Sequence, residues 1–568
     1  MLKSHLRLSC ACTLPIVLCW FSVAQELNPA HKELLANSLR LEKRVSETQR
    51  RQLSSATQNR FALAHEILEV NPRLAKFRKA PTTTSQIPQN QLHHRSDDGT
   101  KMVPISSPAF DYNLSRGGGF SQSDTSTAWC GQNVVTGYND SSAVLMTLNM
   151  ASGGLSFSGV AHSEDGGKSF ADLGYLDPGP STFNFLVGNP SVACANDHRF
   201  YYASMFATTV QISPTELVPQ EAIGINISND GGRTWSTPRP AVLMNTQHVL
   251  ERESLAIDPS DPRRLFVTFT DLDFDPTTPG PCVGEGQMLI EMVRSINGGR
   301  SWSKAQPVKR TCGNTGNAVN GSRVTVGSTG TVYVTYLLYD NIRGRELIEV
   351  RRSDDHGVTF HSAVDVSTVV PAGANSMLQG LFLSNEYPSL AVDRSKGEGR
   401  GTLYLAWTDG RKHSQPDLFS ATGIYSFADV LLAKSIDQGQ HWSAPIAVSP
   451  AANDARRDQF LPWVAVDPSG QVAVCYSDRR NNPQNNAIDH YCSVSKDHGS
   501  TFQDVRLTDR NWSTGHSNDL VLQPYYMETY DAVTPDWTGR QTGFFSTFQF
   551  QHYGNPNAYG ANLFHEED

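Results

Sequence analysis

The apolar positions of this chain change their period once. Between residues 28 and 79, Leu34, Leu35, Leu39, Leu41 and Val45, then Phe61, Leu63, Ile67 and Leu68, recur near helical spacing, which predicts a helical arm. Asn71-Pro72 marks a break in it. After about residue 105 the pattern becomes short β-rich runs separated by bends. The clearest pairs are E-Y-P-S-L-A-V-D at 386–393 with G-T-L-Y-L-A-W-T-D-G-R at 401–411, and F-L-P-W-V-A-V-D at 460–467 with G-Q-V-A-V-C-Y-S-D-R-R at 470–480. Weaker pairs are E-S-L-A-I-D at 253–258 with L-F-V-T-F-T-D at 265–271, S-R-V-T-V at 322–326 with T-V-Y-V-T-Y at 331–336, and P-S-V-A-C at 190–194 with Phe200 to Ser204.

A single turn motif recurs six times, five of them after these pairs. It reads S-E-D-G-G-K-S-F at 163–170, S-N-D-G-G-R-T-W at 228–235, S-I-N-G-G-R-S-W at 295–302, S-D-D-H-G-V-T-F at 353–360, S-I-D-Q-G-Q-H-W at 435–442 and S-K-D-H-G-S-T-F at 495–502. The starts lie 65, 67, 58, 82 and 60 residues apart. A motif at such intervals in a strand-rich setting signals a radial repeat. The carboxylate (Asp165, Asp230, Asp355, Asp437, Asp497, with Asn297 as stand-in) can accept from backbone amides in an Asx-type turn. The glycine permits a positive φ, and the closing aromatic anchors neighbouring sheets. These aspartates read as structural. Each unit is strand, strand, strand, turn, strand: a four-stranded antiparallel blade.

The turns resemble the Asp-box (bacterial neuraminidase repeat) of the sialidase superfamily, over most of residues 120 to 510. That resemblance implies a β-propeller of six blades. Tyr530 to Val533 and Gly543 to Phe550 offer a further strand pair without a box, so a seventh blade, or ring closure by both chain ends, is the alternative. The resemblance also implies an arginine triad clamping a sugar carboxylate, an Asp acid/base, and a Tyr nucleophile activated by Glu. The chain departs from that pattern. No Arg-Ile-Pro occurs, and Glu386 and Leu461 stand where its arginine belongs. Asp409 and Asp478 are the acid/base candidates by position, and Tyr530 or Tyr476 the nucleophile candidates.

Topology locates a site independently. If the boxed turn joins the third and fourth strands, the residues before the first strand and after the second meet at the opposite face. The first group is Arg252, Glu253, Arg323, Asn385, Glu386, Arg457 and Asp458. The second is Asp140, Asp271, Asp273, Asp340, Asp409, Arg411, Asp478, Arg479 and Arg480. Carboxylates alternating with guanidiniums suit a charged or polyhydroxylated ligand. The competing reading is that they pair with one another as salt bridges between loops.

Composition narrows the class. The 568 residues are 38% apolar and 18% charged with a net charge of −9, which disfavours disorder and a basic nucleic-acid surface. Lys3, Arg7, the apolar run from Cys10 to Val23 and Ser22-Val23-Ala24 predict a signal peptide over 1–24. The arm then spans 25–79, a linker 80–104 and the propeller 105–568. No later segment resembles a membrane span. Six cysteines remain after the signal: Cys130, Cys194, Cys282, Cys312, Cys475 and Cys492. An even number in an exported chain suggests disulfides, and fifteen pairings are open. Local geometry favours short bridges: Cys475 and Cys492 sit on successive strand candidates, and Cys282 and Cys312 flank one repeat turn. Asp271, Asp273 and Asp275 have a spacing that can bind calcium, although a solvated loop without metal is the favoured reading and no cofactor is expected. Asn113, Asn139, Asn226, Asn320 and Asn511 head glycosylation sequons.

The sequence therefore predicts a secreted or periplasmic sialidase-like propeller, with its helices available for self-association. The leading function is an exo-glycosidase on acidic glycans. A non-catalytic glycan- or protein-binding propeller, or a hydrolase or lyase on another polysaccharide, are the alternatives.

Overall fold

The computed structural model of the chain describes residues 28–46, 53–70, 94–95, 101–106, 121–148, 153–213, 216–282, 284–374, 377–380, 382–417, 422–449, 456–513, 530–551 and 556–563, with a few single residues between. The signal-peptide segment and Asn113 lie outside them. Seven four-stranded antiparallel blades form a β-propeller. The first blade runs Gln122–Cys130, Asn133–Asp140, Ser158–Ser163 and Ala171–Tyr175 from centre to rim. The inner strands of the next five are Phe185–Cys194, His248–Ile257, Ala318–Val326, Ser389–Val392 and Gln459–Val466.

The seventh blade is built from both ends of the chain. Ala532–Pro535, Phe544–Gln551 and Pro556–Leu563 supply its inner strands, and Lys101–Pro104 supplies the next one outward, with Met102 opposite Ala561. Seven blades, not six, make up the ring. Six residues of the stretch read as linker, His94–Arg95 and Lys101–Pro104, thus pair into this sheet.

The repeated turns join the third and fourth strands. In the first, Ser163 Oγ accepts from the amide of Gly167 and donates to Asp165, whose Oδ1 accepts from the amides of Lys168 and Ser169. Asn297 keeps the pattern by accepting from the Ser301 amide and donating its own Nδ2 to the Ser301 hydroxyl. Gly167 has φ +85° and a Cβ there would lie 2.7 Å from the Phe545 ring of the seventh blade, so conformation and packing both require glycine.

The bridges are Cys130–Cys194, Cys282–Cys312 and Cys475–Cys492. The last pair sits directly opposite on adjacent strands. Among the described residues no helix is long and apolar enough to cross a membrane.

Two helices, α1 (Pro29–Glu42) and α2 (Ser55–His65), form the arm. Asn28 and Ser54 cap them by accepting from the amides of Ala30 and Thr57. Their apolar stripes are buried on the propeller rather than exposed. Leu34, Leu35, Leu63 and Ile67 form one cluster with Val144, Phe157, Phe185 and Met205; Leu41, Leu53 and Phe61 form another with Val249, Leu272 and Ala318. Each fully buried side chain of this size contributes about 1.5–3 kcal/mol. These partners lie where first strands begin and second strands end. The arm therefore covers the face opposite the repeated turns.

Candidate functional site at the arm-covered end of the tunnel

The inner strands share one irregularity. Ladder register shifts between Ser123 and Ser126, Gly188 and Ser191, Glu251 and Ser254, Asn320 and Arg323, and Phe460 and Trp463. The first bulged residue is left-handed in each: Asp124 (φ 50°), Asn189 (64°), Arg252 (53°), Gly321 (69°) and Leu461 (56°). Such φ values cost a non-glycine residue on the order of 1–3 kcal/mol and cluster at functional sites. Counting from the turn aspartates Asp393 and Asp536, Tyr387 and Tyr530 occupy the same ring in the fifth and seventh blades.

Two residues past each of these positions the repeat favours serine. Ser126, Ser191, Ser254 and Ser389 each accept, through Oγ, from an inner-strand amide of a neighbouring blade: Val192, Leu255, Val324 and Val464, respectively, at 2.9–3.2 Å. Serine here sews the ring together. Three blades depart from it, with Ala532 and with two large side chains, Arg323 and Trp463. The two large ones meet: the Arg323 guanidinium lies 4.5 Å from the Trp463 ring and 4.9 Å from the Tyr530 ring. Stacked cations of this kind gain roughly 0.5–2 kcal/mol. On the next blade Arg252 stacks over Tyr387 at 4.2 Å. Gly321 makes room for that ring, since a Cβ would sit 2.1 Å from it.

Arg252, Arg323, Asn385, Tyr387, Trp463 and Tyr530 line one small cavity of about 20 Å³, space for about one water. Burial lowers the Arg323 pKa to about 10, aided by the charge of Arg252, and leaves it charged at neutral pH. Among the described residues no acceptor takes a hydrogen bond from Arg323. Burial pushes Glu253 and Tyr530 far upward, and Asp124 and Glu253 add to the rise at Tyr530. Tyr530 donates its hydroxyl to the Pro190 carbonyl at 3.0 Å. Arg252 donates to the carbonyl of Leu53 in the arm, and Glu251 beside it accepts from the Ser54 amide and Thr57 hydroxyl.

Several sequence-derived candidates lie elsewhere. Asp409 accepts from Trp407 Nε1 and, at 2.7 Å, from Arg411. Asp478 is held by Arg480, which also reaches Asp504 and stacks over Tyr491. Asp458 accepts from Tyr425, Asn485 and Arg479. Arg457 is bound to a neighbouring carbonyl. Glu386 is buried, accepts from the Ala372 amide and is raised by burial and by Glu346. Tyr476 is buried against Ser493 and Arg480. Asp140 is satisfied by Ser142 and Gln122, and Asp340 by Arg343. Among the described residues two arginines, Arg252 and Arg323, line the cavity at this end of the tunnel.

The triple-aspartate loop also disperses. Asp271 pairs with His248 at 2.9 Å, Asp273 accepts from Gln287, and Asp275 accepts from Thr277. Among the described residues no group of three His, Cys, Asp or Glu could hold a metal ion. Three sequon asparagines, Asn139, Asn226 and Asn320, are fully buried.

No family model matches the sequence. No curated protein matches it either. Solved structures similar to the chain include an α-L-arabinofuranosidase from Fusarium graminearum (TM-score 0.40, 9% identity, 82% of this chain and 98% of that one) and an α-L-arabinanase from Penicillium chrysogenum (0.39, 13%, 69% and 97%). A Trypanosoma rangeli sialidase overlaps at 0.36 and 12%, over 85% of this chain and 60% of that one. At these scores the likeness decides nothing about chemistry. The propeller stands on its own strand register.

Proposed function

We propose that the protein is an exported glycoside hydrolase acting on a glycan that carries a carboxylate, with its centre at the arm-covered end of the tunnel. The carrying observation is Arg323: a charged guanidinium packed against the rings of Trp463 and Tyr530, with no acceptor from the described chain. A planar fork in that state is suited to a sugar carboxylate. Tyr530 is the nucleophile, Glu253 takes its proton, and Asp124 protonates the leaving oxygen. Attack forms the Tyr530–sugar bond as the glycosidic bond breaks; water later reverses the exchange. The buried arrangement is the resting state, since burial holds Glu253 and Tyr530 neutral. Displacing the arm hydrates Glu253 and returns it to a carboxylate able to act as base. The three disulfides fit an oxidising compartment.

A second reading, binding without turnover, is favoured by one observation. The cavity has room for about one water, while Asp409, Asp458 and Asp478 are each neutralised by an arginine of their own blade. Fluorogenic sialosides, uronides and arabinofuranosides, offered before and after proteolytic release of the arm, separate the two. Turnover that Arg323→Gln and Tyr530→Phe abolish supports the hydrolase, and retention of glycan without turnover supports the binder.

A further inference from the structure

A second departure from the repeat lies at the other end of the tunnel. Four blades join their first and second strands through Asp-x-Ser/Thr: Asp258-Pro259-Ser260, Asp393-Arg394-Ser395, Asp467-Pro468-Ser469 and Asp536-Trp537-Thr538. In each the aspartate accepts from the amide two residues on, at 2.7–2.9 Å. Proline suits the middle position because its fixed φ presets the bend. Arg394 and Trp537 stand in its place. Their side chains meet across the tunnel, the guanidinium 4.4 Å from the indole.

All four middle residues line a cavity of about 580 Å³ on the side of the repeated turns, within the range of small-ligand sites. Three of its lining carboxylates are bound by neighbouring groups. Asp258 is taken up by Ser260, Arg264 and His356. Asp467 is taken up by Ser469, Gln471 and Gly543. Asp536 accepts from Gly131, Thr538, Arg540 and Gln541. Arg394 gives Nε to the Val326 carbonyl at 2.8 Å. Among the described residues no acceptor takes its two terminal nitrogens. Burial lowers its pKa only to about 10. Lys396 adds a second cation, and the Trp537 side of the stack is 42% exposed.

We infer that this end of the tunnel is a binding site for a carboxylate-bearing saccharide. The carboxylate takes the terminal nitrogens of Arg394, and the sugar ring packs on the exposed indole of Trp537. The site is separate from the one under the arm, because Trp463 lines both cavities and stands between them with Arg323 and Tyr530.

The test is calorimetric titration of the full chain with glucuronate, N-acetylneuraminate, glucose and acetate. One of the two acids binds, and both glucose and acetate bind at least about tenfold more weakly, as losing one charge-assisted contact or the ring contact requires. Arg394→Gln and Trp537→Ala each weaken the acid about tenfold or more. Lys396→Gln, a change on an exposed side chain, weakens it about threefold at low salt. With the arm seated over the other centre, Arg323→Gln leaves the Arg394-dependent binding in place, so failure of this site and failure of the arm-covered centre are told apart. The inference is overturned if neither acid binds at millimolar concentration, if acetate or glucose binds as tightly as the acid, or if Arg323→Gln removes binding while Arg394→Gln does not.

Discussion

Arg60 of the arm and Glu221 of the second blade form a two-pronged ion pair, both bonds 2.8 Å, with side chains 2% and 4% exposed. Ser38 accepts from the remaining Arg60 Nε. The pair has no water to fall back on, so the arm is locked down electrostatically as well as by its apolar stripes. Removing one partner strands the other charge and costs about 3–5 kcal/mol. Glu221→Gln is therefore expected to raise hydrogen exchange across residues 34–67 without loosening the blades. Arg60→Met combined with Glu221→Leu restores most of the protection. Unchanged exchange in Glu221→Gln contradicts the lock.

Gly321 sets the position of Tyr387. Gly321→Ala puts a methyl 2.1 Å from the Tyr387 ring at φ +69°, and is expected to cost about 1–3 kcal/mol. Thermal unfolding measures it. Gly344→Ala, where a Cβ meets nothing within 4 Å at φ +62°, isolates the backbone part of the loss.

Acidity separates two groups of carboxylates. Asp437, at about 2, and Asp355 and Asp497, lower still, are depressed by hydrogen bonds from their own turns. Their stabilisation is complete above the unfolded carboxylate pKa of about 4 and fades as pH falls toward 2. Glu291 is raised to about 8 by burial and by Asp271. It holds its proton more tightly folded than unfolded, so its contribution worsens as pH rises from about 4.5 to 8. Glu291→Gln is expected to match the wild type near pH 5 and exceed it by on the order of 2–4 kcal/mol at pH 8. Denaturant titrations at both values check this, and equal stability at pH 8 contradicts it.

Parts of this architecture were legible in the residues alone because they are local. The six Ser-x-Asp/Asn-x-Gly turns, the four-strand units and the Cys475–Cys492 pairing each follow from neighbouring positions on one or two strands. The seventh blade was open because the strand next to Pro556–Leu563 is four residues, Lys101–Pro104, from the far end of the chain. No local pattern announces such a pairing. The site was legible in outline: Arg252, Glu253, Arg323, Asn385 and Tyr530 do gather at the tunnel. Asp409–Arg411 and Asp478–Arg480, two residues apart, pair within their own loops, as the salt-bridge reading held. Trp463, Tyr387 and Asp124 were missed. The signal for Trp463 was available: aligned on the following Asp467, it falls where Ser254 and Ser389 stand in their blades. For the others, the bulges had to be seen before the ring of equivalent positions could be counted.

The central claim rests on Arg323 and Tyr530 acting on a glycan once the arm is lifted. The most direct measurement is release of fluorophore from carboxylate-bearing glycosides by the intact protein and by protein carrying Glu221→Gln. The account predicts turnover that rises at least about tenfold in Glu221→Gln, disappears when Tyr530→Phe is added, and survives Asp409→Asn. Absence of turnover in both forms, or turnover that Tyr530→Phe leaves intact, contradicts it.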